Sequence, residues 1–418
     1  MVSWLYFPAC RATLKWWCCM TADQKMALAG IKVLDLSRIL AGPSAAQLLG
    51  DLGADVVKVE KPDEGDDTRK WGPPYVRGTS GEETDESAYY LSANRNKRSI
   101  AIDIGSDSGR ELVHRLIAQA DVLVENYKVG GLAKYGLAYE QIKDRYPRLI
   151  YCSVTGFGQT GPYAPRPGYD FLIQGMGGIM SLTGVPDGEP MKVGVGIADV
   201  MTGMYATVGI LAALRHRQQT GEGQHIDISL LDTQISWLVN AGTNYLADRQ
   251  VPSRLGNGHP NIVPYQVFST ADAPMILAVG NDAQFRRFCE VAGIDALASD
   301  ERFATNPMRI RHRVELCELV DKALRSKHRV TWLQELEAVG VPCGPVNNLE
   351  DVFADPHVKA RGAELHMPCE WAMDGEIRLL ANPLKMSATP PSYRRPPPRL
   401  DEHAEEVLMD WLENNQTF

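Results

Sequence analysis

Long apolar runs are scarce in this sequence, and so is positive charge. No uninterrupted apolar stretch approaches the roughly 20 residues that cross a bilayer, so we expect no transmembrane segment and no membrane partner. The formal net charge is −9 at pH 7. Because the phosphate backbone of nucleic acids attracts proteins that present a basic face, we expect no nucleic-acid partner. An anionic small ligand would need a local cluster of basic residues.

Signatures of metal, nucleotide and serine-hydrolase chemistry are also missing. The eight cysteines show no C-x-x-C pair and no Cys/His spacing typical of zinc sites, which predicts a reduced, cytoplasmic protein without bound metal. There is no P-loop lysine motif, no G-x-S-x-G elbow and no H-E-x-x-H. The run GVGIAD lacks the third glycine of a dinucleotide fingerprint. We therefore predict no permanently bound cofactor.

Apolar runs of strand length alternate with helical patterns over the first 155 or so residues. Helices are predicted over Pro43–Leu52, Ser108–Ala118 and Tyr139–Asp144. The predicted strands around them are IKVLDL, ADVVKVE, SIAID, DVLVEN and RLIYCSVTGFG. This alternation predicts an α/β fold with a Rossmann-like parallel sheet and helices on its faces. Ligands of such sheets bind beyond the carboxyl ends of the strands, which include Leu36–Leu40 and Glu125–Tyr127.

Composition changes along the chain predict four segments. Residues 1–27 form an N-terminal extension that we expect to be disordered, and residues 28–232 form the first part of the large Rossmann-like domain. Residues 233–336, where polar loops interrupt the pattern, form a smaller α/β domain. Residues 337–418 return to the large domain and end in a helix around His403–Leu412.

Asp199 is the candidate nucleophile, because it stands at the start of a predicted buried helix over Met201–Leu214. The free backbone N–H groups and the dipole at a helix start favour an ionised carboxylate, and such a carboxylate can attack an acyl group. On position alone, a simple helix cap is the alternative. The basic run NRNKRS, with Arg95, and Lys61 near a strand end are candidate phosphate contacts. A solvated basic face is the alternative for them.

The order and spacing of ten motifs resemble one enzyme family over about Gly30 to Leu408. The motifs are LDLSRILAGP, LGADVVKVEKP, GDDTRKWGPP, NRNKRSIAID, DVLVENYKVGGLAKYGL, SVTGFGQTGP, GYD, GIADVMTGMYA, TGEGQHIDISLLD and VPCGPVNN. They resemble the class III CoA-transferases, the family of formyl-CoA transferase, L-carnitine CoA-transferase and succinyl-CoA:glutarate CoA-transferase. The resemblance implies an enzyme that moves CoA from an acyl-CoA donor to a small carboxylic acid. The CoA thioester would be a substrate rather than a cofactor.

The resemblance also implies roles for individual residues. Asp199 aligns with the catalytic aspartate, which forms an aspartyl anhydride and then an aspartyl-CoA thioester, and Tyr169 and Asp170 flank it. Gly256 and Gly258 fall in a glycine-rich lid. The large domain binds CoA, and its expected contacts are Ile39, Leu40, Lys61, Arg95, Ile102, Asn126, Tyr127, Lys134 and Leu230. The family fold further implies an interlocked homodimer, in which each subunit is threaded through the ring of the other.

Departures from formyl-CoA transferase bear on the substrate. Gly105 and Pro167 stand where that enzyme has lysines, and Leu40 replaces a glutamine, so the pattern is closer to succinyl-CoA:dicarboxylate transferases. Two alternatives remain open. An α-methylacyl-CoA racemase shares the fold and needs a His/Asp pair, but racemases have a histidine where Tyr169 stands here. A non-catalytic CoA-binding protein is the second alternative, and the presence of Asp199 argues against it.

Overall fold

The computed structural model describes residues 26–413. The described chain divides into two compact units. The first unit comprises residues 26–176, 195–236 and 361–413, and the second comprises residues 177–194 and 237–360. The predicted N-terminal extension covers residues 1–27, and its residues 1–25 lie outside the described part of the chain.

The strands and helices are numbered in chain order. The strands are β1 (Lys32–Asp35), β2 (Asp55–Glu60), β3 (Tyr75–Arg77), β4 (Glu83–Ser87), β5 (Lys97–Ala101), β6 (Val122–Glu125), β7 (Ile150–Thr155), β8 (His225–Ser229), β9 (Tyr265–Ser269), β10 (Pro274–Ala278), β11 (Cys343–Pro345), β12 (Glu364–Pro368) and β13 (Glu376–Leu380). The helices are α1 (Ala41–Asp51), α2 (Ala88–Leu91), α3 (Asp107–Ile117), α4 (Tyr139–Ile142), α5 (Asp170–Met176), α6 (Ile179–Leu182), α7 (Ile197–Thr220), α8 (Leu230–Ser236), α9 (Val239–Asp248), α10 (Asp282–Ala292), α11 (Ala296–Ser299), α12 (Asn306–Arg311), α13 (Arg313–Leu324), α14 (Arg329–Ala338), α15 (Leu349–Ala354), α16 (Pro356–Ala360) and α17 (Ala404–Leu408). Short 3₁₀ turns cover Asp67–Lys70 and Ala133–Tyr135, and a π-helical turn, Met409–Glu413, follows α17.

A six-stranded sheet forms the centre of the first unit. Its strand order is β5-β2-β1-β6-β7-β8, and every neighbouring pair is parallel. Once the β3–β4 hairpin is set aside, this is the order 3-2-1-4-5-6 of doubly wound dinucleotide-binding folds. The predicted Rossmann-like sheet is therefore confirmed, whereas the β3–β4 hairpin had no clear sequence signal.

The central strands of this sheet are buried on both faces, and they carry apolar residues on each face. Val33 and Val124 belong to a core cluster that includes residues of α1 and α7. Leu34 and Leu123, the next residues along the same strands, belong to a second cluster that includes residues of α3 and α17. This alternation follows from the two-residue period of a strand.

Helix α7 is long and apolar enough to span a membrane by length and composition, with a mean hydropathy of 1.6 over its best window. Half of that window is buried in the protein, and α7 packs against α1, β7 and β8. A buried core helix can be equally long and apolar, so the packing of α7 in the protein accounts for its composition. Gly203 of α7 lies so close to α1 that a Cβ there would be 2.7 Å from the Ala41 carbonyl oxygen.

The basic run before and within β5 is buried rather than solvated. The Arg95 guanidinium binds Asp51 with Nε to Oδ1 at 2.9 Å and Nη2 to Oδ2 at 2.6 Å. The Lys97 ammonium is 2.9 Å from Asp35 Oδ2, and neither side chain is exposed. Arg98 pairs with Asp55, with 2.6 Å between Nη2 and Oδ2. Arg95 and Lys97 thus lie in buried ion pairs, where removal of one partner would leave an uncompensated buried charge.

The second unit contains a three-stranded antiparallel sheet of order β11-β10-β9. Helices pack on it around a core that includes Phe268, Phe285 and Trp332. The predicted boundary at residue 337 is too early, because β11 pairs with β10 and brings the chain up to residue 360 into this unit. Residues 177–194 also belong to it, although they precede α7.

Candidate active site

A cavity of about 510 Å³ opens beyond the carboxyl ends of β1 and β6 in the first unit. These two strands are adjacent in the sheet, and the strand order runs in opposite directions on either side of them, which is where doubly wound folds bind ligands. Eight of the predicted site residues line this cavity: Ile39, Leu40, Asn126, Tyr127, Lys134, Tyr169, Asp199 and Leu230.

Asp199 lies in the first turn of α7, whose N-cap is Gly196. No described residue donates a hydrogen bond to its carboxylate. Burial raises the pKa of Asp199 to about 7, and the negative charge of Asp170 adds to this rise. Burial therefore opposes the ionised state that we expected the helix start to favour. Near neutral pH the carboxyl group exists in both protonation states.

Asp170, rather than Asp199, caps helix α7. The backbone N–H of Ala198 donates to Asp170 Oδ1 at 2.8 Å, and Gln174 Nε2 donates to Oδ2 at 2.8 Å. Gln174 is fully buried, which fixes this carboxylate in place. Because Asp170 satisfies the helix start, the Asp199 carboxylate is left free to face the cavity.

Two glycines allow the segment before Tyr169 to lie against the end of β7. A Cβ on Gly168 would be 2.3 Å from the Gly156 Cα, and a Cβ on Gly156 would be 2.5 Å from the Gly168 Cα. No side chain fits at such a distance. The GYD motif is thus held against the sheet by backbone contact, which places Tyr169 and Asp170 beside Asp199.

Aromatic side chains border the same region. Tyr169 is 61% exposed and Trp71 also lines the cavity, where its ring meets Tyr89 edge-on at 5.2 Å. The pKa of Tyr89 is raised to about 12 by burial and by the charges of Asp199 and Asp170. Its hydroxyl therefore stays protonated at neutral pH and remains a hydrogen-bond donor. Neither Trp71 nor Tyr89 was predicted as a site residue, although Trp71 lies within the motif GDDTRKWGPP.

Four cations line the cavity, namely Arg38, Lys128, Lys134 and Arg166. Arg38 is paired with Asp67 at 2.9 Å, and its guanidinium lies 5.8 Å from the centre of the Tyr127 ring. The Arg166 guanidinium lies over Phe157 and Tyr163, with 5.2 Å and 4.7 Å to the ring centres. Of the four, only Lys134 was predicted. Arg38 was detectable, because it lies within Leu36–Leu40, a predicted ligand-binding strand end.

Three other predicted CoA contacts, Lys61, Ile102 and Arg95, do not line the cavity that contains Asp199. Lys61 and Ile102 line a neighbouring cavity of about 210 Å³, which shares Arg38 and Tyr127 with the first. Arg95 is not at either cavity, because its guanidinium is buried against Asp51 and also donates to the Leu380 carbonyl at 2.9 Å.

The two predicted lid glycines lie in the second unit. Gly256 has a φ of 58° and donates its backbone N–H to the Gly184 carbonyl oxygen at 3.1 Å, and Gly258 follows in the same loop. Their role as a lid stays a prediction. Among residues 26–413 there is no group of three or more His, Cys, Asp or Glu side chains that could hold a metal ion.

Comparison with known proteins identifies the family of this chain. The model of CoA-transferase family III matches residues 28–404. The chain belongs to this family. It is 52% identical to the succinate–glutarate CoA-transferase of Agrobacterium fabrum over 93% of this chain and 96% of the relative. It is 42% identical to the human succinyl-CoA:glutarate CoA-transferase over 92% of this chain and 86% of the relative.

The family III fold is also seen in a solved structure. The crystal structure of a CAIB/BAIF family protein from Brucella suis matches with a TM-score of 0.81 and 50% identity, covering 92% of this chain and 99% of the other. The chain is therefore a class III CoA-transferase, an enzyme whose substrates are CoA thioesters and carboxylic acids.

Proposed function

We propose that this CoA-transferase moves CoA from succinyl-CoA to glutarate or a similar dicarboxylate, with Asp199 as the covalent nucleophile. The observation that carries the proposal is the Asp199 carboxylate, which accepts no hydrogen bond from residues 26–413 and lies at a cavity lined by Arg38, Lys128, Lys134 and Arg166. A dicarboxylate and the phosphates of CoA both require such cations. The names of the relatives from Agrobacterium fabrum and Homo sapiens support the choice of succinyl-CoA and glutarate.

The proposed reaction exchanges activated acyl bonds on Asp199. The carboxylate attacks the donor thioester carbonyl, the C–S bond breaks, and a mixed anhydride and the CoA thiolate form. The thiolate attacks the Asp199 carbonyl carbon, which releases the donor carboxylate and leaves an aspartyl-CoA thioester. The acceptor carboxylate attacks this thioester, forms a new anhydride and releases the thiolate. Attack of the thiolate on the acceptor carbonyl gives the product and restores the Asp199 carboxylate.

The surroundings of Asp199 suit this chemistry. Desolvation makes the carboxylate a better nucleophile than it is in water and limits hydrolysis of an anhydride. The cap that Asp170 provides at Ala198 holds the first turn of α7 in position. Positioning rather than acid–base chemistry therefore supplies most of the rate enhancement in this scheme.

A substrate panel and a trapping experiment test the proposal. Succinyl-CoA should react with glutarate with a kcat/KM at least about tenfold higher than with butyrate, because the cations can bind a second carboxylate. Incubation with succinyl-CoA alone, followed by hydroxylamine, should convert Asp199 to a hydroxamate that peptide mass spectrometry detects. A normal rate of transfer with no adduct on the Asp199 peptide would contradict the covalent role.

The rate of CoA transfer should fall at low pH, because Asp199 must be ionised to react. Only the ionised carboxylate attacks, and its pKa is raised to about 7, so kcat/KM should fall as the pH decreases through about 7. Below pH 6 the slope of log kcat/KM against pH should approach one. A profile that stays flat between pH 5 and pH 8 would exclude a nucleophile with this pKa.

A racemase is disfavoured by the residues at the cavity. Exchange of an α-proton at neutral pH needs a His/Asp pair, and no histidine is among the residues that line the cavity in the described part of the chain. Tyr169 stands where racemases have a histidine. Conversion of a single acyl-CoA without any co-substrate acid would support the racemase instead.

We also propose that the enzyme is a homodimer. Large apolar side chains on the first unit are exposed to solvent on α5 and α7: Phe171, Leu172, Met204, Tyr205 and Val208. Such a surface is rare on monomeric proteins and is typical of an interface. Sedimentation equilibrium should give the mass of two chains, and the mass of one chain at micromolar concentration would contradict the proposal.

A further inference from the structure

Ile39 has a backbone conformation that its side chain disfavours. Its φ is 73°, in the left-handed region, where a β-branched residue is a clear outlier. Ile39 lies between β1 and α1, and both it and Leu40 line the cavity that contains Asp199. A conformation of this kind persists only where the surrounding structure holds it. The conformation of Ile39 must therefore be held by side chains that hydrogen-bond the backbone of this loop.

Asp66 is the side chain that holds the Ile39 peptide. The backbone N–H of Ile39 donates to Asp66 Oδ1 at 3.2 Å, and the same oxygen accepts from the Thr68 N–H and hydroxyl at 3.0 Å and 2.8 Å. The other oxygen accepts from Lys58 Nζ at 2.8 Å. The Asp66 and Lys58 side chains are both fully buried. Hydrogen bonds to both carboxylate oxygens thus fix the Asp66 side chain.

Two side chains, Lys58 and Asn126, make three further hydrogen bonds to the residues before Ile39. Lys58 Nζ donates to the Ser37 carbonyl oxygen at 2.8 Å. Asn126 Oδ1 accepts the Arg38 N–H at 2.9 Å, and Asn126 Nδ2 donates to the Arg38 carbonyl at 2.6 Å. The loop is therefore fixed at three successive residues by side chains from β2, from the residues after it and from the end of β6.

We propose that Asp66, held in place by Lys58, is a positioning residue for CoA: it keeps the Ile39 peptide in its left-handed conformation, so that Ile39 and Leu40 present one fixed surface to the thioester. Asp66 lines the neighbouring cavity of about 210 Å³ together with Lys58, but it does not line the Asp199 cavity, on which it acts through the loop. The proposal rests on the proposed function only in taking this cavity as the CoA site. Direct binding of free CoA tests it without any turnover.

The first test replaces Asp66 with asparagine and measures the dissociation constant of CoA by calorimetry. We expect Asp66→Asn to weaken CoA binding at least about tenfold and to raise KM for the acyl-CoA by a similar factor, with kcat within threefold. Adding Ile39→Gly should restore the dissociation constant to within threefold of Ile39→Gly alone, because glycine adopts a positive φ without strain. Adding Ile39→Ala should not restore it, because alanine keeps the steric penalty.

A second variant covers the case in which Asp66→Asn fails to fold with an unpaired Lys58. Ile39→Pro leaves the buried pair intact but removes the donated N–H and fixes φ near −65°. It should weaken CoA binding at least about tenfold and lower the thermal midpoint, because proline does not fit a φ of 73°. Circular dichroism checks that the variant is folded. Asp121→Asn is the matched control, since it disrupts the 2.8 Å pair with Arg217 outside both cavities and should leave CoA binding unchanged.

The outcomes are decisive in either direction. Native CoA affinity in both Asp66→Asn and Ile39→Pro would overturn the positioning role. Equal rescue by glycine and alanine at residue 39 would also overturn it, because loss of the side chain rather than freedom of the backbone would then explain the effect. Absence of transfer to glutarate combined with the expected CoA affinities would refute the proposed function alone.

Discussion

Replacing Asp199 with asparagine should lower kcat for CoA transfer by at least about 10⁴-fold, because the amide cannot form an anhydride or a thioester with the acyl group. The geometry should be preserved, since asparagine has the same shape and Asp170 still caps α7. Steady-state assays with succinyl-CoA and glutarate measure the loss. Asp107→Asn is the matched control, because Asp107 lies in the first turn of α3, is exposed, and should give native activity.

The same variant should be more stable than the native protein at high pH. A carboxyl group whose pKa is raised on folding stabilises the folded state at low pH and loses this contribution as the pH rises through about 7. The gain from Asp199→Asn should therefore grow between pH 5 and pH 8, by roughly 2 kcal/mol. Thermal denaturation at the two pH values measures it. A gain of the same size at both values would show that the charge of Asp199 is not the cause.

Replacing Lys97 with methionine should destabilise the protein by about 3–5 kcal/mol, because it leaves Asp35 buried without its main partner. The Lys97 ammonium also donates to the Pro43 carbonyl at 2.9 Å and to Asn94 Oδ1 at 3.0 Å, so these acceptors lose a donor as well. Urea denaturation measures the change in the free energy of unfolding.

A second substitution separates the buried charge from the lost packing. Lys97→Met combined with Asp35→Asn should recover at least half of the lost stability, because a neutral amide can still accept the Ser37 N–H. Lys143→Met is the control at a surface pair, with Glu140, and should change stability by less than about 1 kcal/mol. A loss below about 1 kcal/mol for Lys97→Met would mean that water reaches this pair.

The architecture of the first unit could be predicted because its signals are local. Strands such as Val122–Glu125 begin with an apolar run, here Val122–Val124, and helices with polar outer faces, such as α3, separate them in the sequence. Once the strands are ordered as a doubly wound sheet, the ends of β1 and β6 must meet at the ligand site. That is why Ile39, Leu40, Asn126 and Tyr127, at two predicted strand ends, converge on one cavity. The positions of Lys134, Tyr169 and Leu230 at this cavity were instead implied by the family resemblance.

The predictions that were wrong concern interactions between distant segments. A run such as NRNKRS reads as a charged surface until Asp51, Asp35 and Asp55, which are 43 to 62 residues away, are brought beside it. The capping role of Asp170 has the same origin, because its partner Ala198 is 28 residues away. The boundary at residue 337 failed because a strand as short as β11 has no period that identifies its partner.

The electrostatic environment of Asp199 should change during the proposed catalytic cycle. The free enzyme holds two carboxylates next to each other in a desolvated place, which is an unfavourable arrangement of like charges. An acyl group on Asp199 would remove one of these charges and leave Asp170 alone with its two hydrogen-bond donors. In the proposed reaction, each acylation of Asp199 would therefore relieve the charge repulsion that the ionised free enzyme carries.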